Sequence, residues 1–147
     1  MAAAKKRKKG RFVGIPYRVV NTPQFSSLSA KANKLLIDLL VQYTGSNNGA
    51  LSACFTLMKP RGWKSSSTVY KAKKELLDKG FIVVTKTGMK VRGHPTLLAI
   101  TWNSIDECPK VIFDEHVKPS VVPLSYWSTA REGLQKPPEL KIVMGGN

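Results

Sequence analysis

Residues 65–86 read SSSTVYKAKKELLDKGFIVVTK. Three serines precede a segment whose apolar residues, Val69, Ala72, Leu76 and Leu77, recur at the spacing of one helix face. A serine hydroxyl ahead of such a run caps a helix by accepting from a free N–H of its first turn. Gly80 closes the segment, because glycine takes the left-handed conformation on which helices commonly end. Phe81 to Lys86 then carries the β-branched density of a strand. On the helix, Ser67, Tyr70, Lys71 and Lys74 fall opposite the apolar face. Lys73 falls on the apolar side, where it either snorkels to water or marks a partner surface.

Downstream, Thr87-Gly88 starts a turn and Gly93-His94-Pro95 ends a loop. That loop and its approach hold Lys86, Lys90, Arg92 and His94, with no acid among them. Thr96 to Trp102 (TLLAITW) reads as the returning strand of a hairpin. Upstream, Ala53 to Lys59 (ACFTLMK) reads as a brief helix capped by Ser52 and broken by Pro60 and Gly62. Ala50-Leu51 reads as a small strand, and Ser46-Asn47-Asn48-Gly49 as turn chemistry. Before it, residues 29–43 (SAKANKLLIDLLVQY) carry a stripe of Ala32, Leu35, Leu36, Leu39, Leu40 and Tyr43. Ser27 or Ser29 caps this helix and Gly45 is its expected C′ residue. Pro16 and Pro23 rule out a long helix ahead of it.

The 147 residues suit one domain, and 42% of them are apolar, enough for one modest core. No apolar run reaches the ~18 residues of a membrane span, and no apolar segment follows the basic N-terminus as in a secretory signal. Two cysteines, Cys54 and Cys108, are too few for a disulfide framework, so a reducing intracellular setting is the simpler reading. Lys and Arg number 24 against 9 Asp and Glu, a net charge of +15. Residues 1–102 hold 19 of the basic and 3 of the acidic side chains; residues 103–147 hold the remaining 5 and 6. A domain this basic attracts polyanions, of which nucleic acid is the commonest in a cell.

The order helix, short strand, helix, serine-capped helix, strand, basic loop, strand defines an α+β fold of the winged helix-turn-helix type: three helices plus a β-hairpin wing. The expected organisation is a basic flexible arm over residues 1–11, a winged-helix domain over 12–108 and an extended, proline-containing tail over 109–147, with residues 110–117 a short strand or docked segment. The arm carries Lys5, Lys6, Arg7, Lys8, Lys9 and Arg11. Trp63 and Trp102 are expected in the core or hairpin packing. Tyr126 and Trp127 either anchor the tail on the domain or bind a partner.

Several stretches resemble a family of small winged-helix proteins encoded by bacterial phages, plasmids and integrated mobile elements. They are Tyr17, Thr22-Pro23-Gln24-Phe25, Leu28-Ser29-Ala30-Lys31-Ala32, Leu35-Leu36, Gly45-Ser46-Asn47-Asn48-Gly49, Leu76-Leu77, Gly80-Phe81-Ile82, Leu98, Thr101-Trp102 and Ile105-Asp106. The resemblance covers about residues 12–108 and implies a DNA-binding domain in the regulation or replication of a mobile element. An apolar residue is usual in that family where Lys73 stands.

The expected function is non-catalytic binding of double-stranded DNA. A helix fits the major groove, and flanking cations fix its register on the phosphates. Ser67, Thr68, Tyr70, Lys71 and Lys74 are the expected groove and phosphate contacts. Arg61 and Lys64 clamp the backbone, Lys90 and Arg92 serve the wing, and Lys5 to Arg11 serve the arm. The alternative is an accessory or inhibitory subunit that docks on a larger protein–nucleic acid complex through Lys73, Tyr126 and Trp127. RNA binding ranks lower, because no base-stacking sheet motif is present. No HExxH, GxSxG, P-loop or GxGxxG occurs, so neither catalysis nor a cofactor is expected. Cys108 and His116 lack further ligands for a metal. A bacterial cytoplasmic, nucleoid-associated setting follows from this reading, and a homodimer reading paired half-sites is compatible with it.

Overall fold

A computed structural model describes residues 10–89 and 94–128. Among the described residues, five α-helices and one antiparallel hairpin make an α+β architecture. Two single-turn helices come first, α1 (Tyr17–Val20) and α2 (Pro23–Ser26). Pro16 sits at the cap of α1 and Pro23 at the first position of α2, so the prolines that rule out a long helix start two short ones. Thr22 completes the second start: its hydroxyl accepts from Phe25 N–H at 3.2 Å.

The long helix α3 (Ala30–Gln42) is capped by Ser29, whose Oγ accepts from Ala32 N–H at 3.1 Å. Its stripe of Ala32, Leu35, Leu36, Leu39 and Leu40 is buried. The expected Gly45 terminus is not found. Tyr43 already turns extended at the C-cap, and Gly45, with φ +101°, serves the following turn. Asn47 closes the helix end instead: its Nδ2 donates to Gln42 C=O and its Oδ1 accepts from Thr44 N–H.

Helix α4 (Phe55–Met58) runs into a 3₁₀ turn at Lys59–Arg61, ended by Gly62 at φ +93°. Ser52 does not cap it as expected. The cap position is Cys54, and the Ser52 hydroxyl accepts from Cys54 N–H one turn earlier. Helix α5 (Ser66–Asp78) starts two residues ahead of the expected Thr68, because Ser65 is the serine that caps it. Its exit is a Schellman motif: Phe81 N–H donates to Leu76 C=O and Gly80 N–H to Leu77 C=O. Gly80 has φ +80°, and a Cβ there would lie 2.6 Å from the Tyr126 carbonyl oxygen. Gly80→Ala is therefore expected to cost about 2 kcal/mol, read as a lowered midpoint in urea unfolding.

Strands β1 (Ile82–Lys86) and β2 (Leu97–Ile100) pair with Ile82 opposite Ile100 and Val84 opposite Leu98. The register shifts between Val84 and Lys86, so Thr85 bulges inward. It is fully buried, and its hydroxyl donates to Gly49 C=O while its own carbonyl accepts from Asp114 N–H. Leu51 bonds Leu98 in both directions, the small third strand expected at Ala50-Leu51. One core joins the α3 stripe to Val69, Ala72 and Leu76 of α5, to Ile82, Val84, Leu98 and Ile100, and to Trp63 and Trp102.

Residues 109–128 have no helix, as expected, but they are docked on the body rather than free of it. The Thr87 N–H and hydroxyl both donate to Asp114, Ser120 bridges Ile105, and Ser125 N–H donates to Thr101 C=O. Trp127 belongs to the core cluster, 6% exposed, with the Arg18 guanidinium 5.6 Å from its ring centroid. The folded body thus extends past residue 108, where the sequence places the end of the domain. An indole in the chain supplies apolar surface that the hairpin and helices alone leave uncovered.

Candidate nucleic-acid interface

The interface is organised by α5. Its buried side is Val69, Ala72 and Leu76, which fixes the opposite side toward solvent. Ser67, Tyr70, Lys71 and Lys74 are all exposed there, as their spacing requires. Thr68 departs from expectation. It is half-buried, and its Oγ1 lies 2.7 Å from Ser65 Oγ while its N–H donates to the same oxygen. Thr68 is therefore part of the cap rather than of the open face. Lys74 pairs with Asp78 at 3.2 Å, with both side chains at least half exposed. Such a surface pair contributes little and gives way readily to a phosphate.

The segment leading into α5 is equally cationic. Residues 59–74 hold Lys59, Arg61, Lys64, Lys71, Lys73 and Lys74 and no acid. Lys64 is exposed. Arg61 is not simply a surface clamp. Its Nε donates to Asp38 Oδ1 at 2.6 Å, which fixes the side chain and leaves the terminal nitrogens for other acceptors.

Asp38 is the feature sequence reading missed. It lies in the apolar run of α3 and is 2% exposed. Trp63 Nε1 and Lys34 Nζ donate to its Oδ2 at 2.7 and 2.9 Å, beside the Arg61 contact. Burial pushes the carboxyl up. The bonds from Trp63, Arg61 and Lys34, with the Lys34 charge, outweigh it and hold the carboxyl below its usual value. An acid four residues after Lys34 in an otherwise leucine-rich run was the available signal. The cluster locks the loop before α5 onto α3 and so sets where α5 begins.

At its other end α5 is tied by Glu75, whose carboxylate accepts from Ser29 N–H at 2.7 Å. Lys79 Nζ donates to the Ser27 carbonyl and hydroxyl. The acids of α5 are thus at its C-terminal half, away from the Ser65 end.

Lys73 lines a groove of about 660 Å³ together with Ala53, Phe55, Ser67 and Tyr70. A smaller recess of about 160 Å³, lined by Cys54, Lys73, Pro95 and Thr96, continues toward the hairpin. Desolvation pushes the Lys73 amine below its usual value.

No protein-family model, curated protein or solved structure matches this chain.

The remaining expected contacts divide. Arg11 is described, and its guanidinium donates to the Val41 and Tyr43 carbonyls at 2.9 and 3.1 Å. It covers the C-terminal end of α3, so it is a fastening of the N-terminal segment rather than part of a free arm. Lys5, Lys6, Arg7, Lys8, Lys9, Lys90 and Arg92 lie outside the described residues. Tyr126 is half-buried and Trp127 buried, so the pair takes the anchoring role of the two open to it. Among the described residues no three His, Cys, Asp or Glu side chains group closely enough to hold a metal, and no helix is long and apolar enough to cross a membrane.

Proposed function

We propose that this chain is a non-catalytic double-stranded DNA-binding protein of the winged helix-turn-helix type, acting in the regulation or replication of a bacterial mobile element. In this reading α3, α4 with its 3₁₀ turn, and α5 are the three helices, and β1–β2 is the wing. Helix α5 enters the major groove. Ser67, Tyr70, Lys71 and Lys74 meet bases and phosphates, while Arg61 and Lys64 hold the backbone beside it.

The observation that carries the proposal is the exposed face of α5. It presents two hydroxyl-bearing side chains and two ammonium groups, on a helix fixed at both ends by Asp38 and Glu75. Rigid mounting matters because groove contacts demand a set register. The chain's net charge of +15 supplies the sequence-independent part of the affinity.

Binding to random-sequence 30-mer duplexes at about 50 and 200 mM salt tests this. With about 6–8 phosphates neutralised, the log–log slope is expected near −5 to −7. Lys71→Ala/Lys74→Ala is expected to weaken binding by ~1 kcal/mol or more and to flatten the slope. A duplex affinity indifferent to both changes rejects the reading.

One observation favours an accessory subunit of a nucleoprotein complex as the second reading. Ile112, Val121 and Val122 are 85%, 92% and 69% exposed on the docked tail. Because Trp127 is part of the core, deleting the tail is the wrong test. Val121→Asp/Val122→Asp keeps the core and asks whether a protein partner is lost while duplex binding stays.

A further inference from the structure

We propose that the groove between α5, the start of α4 and the base of the hairpin is a subsite for one phosphate of the DNA backbone, with Lys73 as its ligand. The proposal rests on the DNA-binding reading and extends its contact surface from Ser67 and Tyr70 round α5 to Lys73.

Several cations among the described residues have partners. Lys34 and Arg61 share Asp38, Lys79 holds Ser27 and Glu75, and Arg18 covers Trp127. Lys73 is half-buried, and no carboxylate pairs with it among the described residues. Its contact is the Tyr70 ring, with the nitrogen 5.5 Å from the centroid. An ammonium drawn partly from water, with an aromatic face and no carboxylate opposite among the described residues, is poised for an anion.

Lys73 lines both the 660 Å³ groove and the smaller recess that reaches Pro95 and Thr96 of the hairpin. The groove is also lined by Ser67 and Tyr70, which belong to the face proposed to meet DNA. A duplex seated on that face brings its backbone past the groove mouth. The Ser66 and Ser67 hydroxyls at the same wall can donate to a phosphate oxygen beside the ammonium. Lys73 occupies the apolar side of α5, where leucine or methionine would pack without the desolvation that lowers its amine.

The test compares Lys73→Met, Lys73→Arg and Lys71→Ala/Lys74→Ala in the full chain, using the random 30-mer duplex and thermal unfolding. Lys73→Met is expected to melt at or above the parent temperature, bind the duplex about 5- to 10-fold more weakly at ~100 mM salt, and lower the salt slope by about one. Lys73→Arg is expected to keep the slope and most of the affinity. A Lys73→Met protein that binds like the parent while Lys71→Ala/Lys74→Ala is weakened overturns the subsite and leaves the DNA reading standing. If neither variant changes duplex binding, the subsite fails together with the reading it rests on.

Discussion

Asp38→Ala is expected to destabilise the fold by about 3–5 kcal/mol. The substitution removes one small side chain, strands the buried Trp63 donor and takes their carboxylate from Arg61 and Lys34, whose side chains are 42% and 43% exposed. Trp63 Nε1, with its indole 3% exposed, loses the carboxylate oxygen to which it donates. Arg61 Nε loses a 2.6 Å bond and Lys34 Nζ keeps only the Arg61 carbonyl. The cost is the desolvation of groups left unpaired, which exceeds the net worth of the bonds themselves. Asp38→Asn separates charge from shape, since the amide keeps one acceptor oxygen and turns an NH₂ toward the other donors. Its loss is expected to be smaller, about 2 kcal/mol, measured by denaturant unfolding at neutral pH.

The same carboxylate sets an acid limb. Its pKa in the fold is held below the unfolded value, so its contribution is fully present above about pH 4 and fades as pH falls through the folded pKa. Parent stability is expected to drop over that acid range, and Asp38→Asn to flatten the drop. A parent and variant with parallel stability profiles below pH 4 would show that the charge of Asp38 contributes nothing.

What the sequence reveals and what it hides follow from the range of the interactions. Local signals are dependable here. Ser29 and Ser65 cap the helices because a cap needs only the next three residues. The Gly80 exit and the β-branched strand after it are likewise local, and the exposed face of α5 follows from helical periodicity alone. The failures are contacts between residues far apart in the chain. Arg11 reads as one more cation of a run, yet it reaches carbonyls 30 and 32 residues away. Arg61 reads as a clamp on the DNA backbone, and only the burial of Asp38 gives it and Lys34 a carboxylate partner. Trp127 reads as a tail residue until the fold brings it under Arg18. Serines are ambiguous for the opposite reason: several stand near each helix start, and geometry chooses among them, so Ser52 serves a turn and Thr68 a cap.

Asn48 extends that lesson to the largest buried polar group of the fold, and Asn48→Ala is expected to cost about 3–4 kcal/mol. The sequence shows it as half of an Asn-Asn-Gly turn. In the structure it is fully buried, with its Oδ1 accepting from Ile100 N–H at 2.7 Å and its Nδ2 donating to the Ile100 and Ser104 carbonyls at 2.9 and 2.8 Å. Its backbone exchanges two further bonds with Asp106: Asn48 N–H donates to the carboxylate and Asp106 N–H donates to the Asn48 carbonyl. One side chain thus takes the place of a strand neighbour for the exit of β2. Alanine leaves the buried Ile100 N–H and carbonyl and the half-buried Ser104 carbonyl without that partner, and asparagine's combination of one acceptor and one donor group is matched by neither aspartate nor leucine. Aspartate keeps the acceptor for Ile100 N–H but sets a carboxylate against two carbonyl oxygens, so Asn48→Asp is expected to lose as much as alanine does. The loop from Asn48 carries Gly49, at φ +125° with Phe113 packed 2.7 Å from where a Cβ would stand. Loosening it therefore also frees the tail segment that Asp114 and Thr87 hold. Hydrogen exchange provides the specific check: protection of Ile100 and Asp106 amides should fall in Asn48→Ala more than that of α3, and uniform loss across the chain would assign the cost to global unfolding alone.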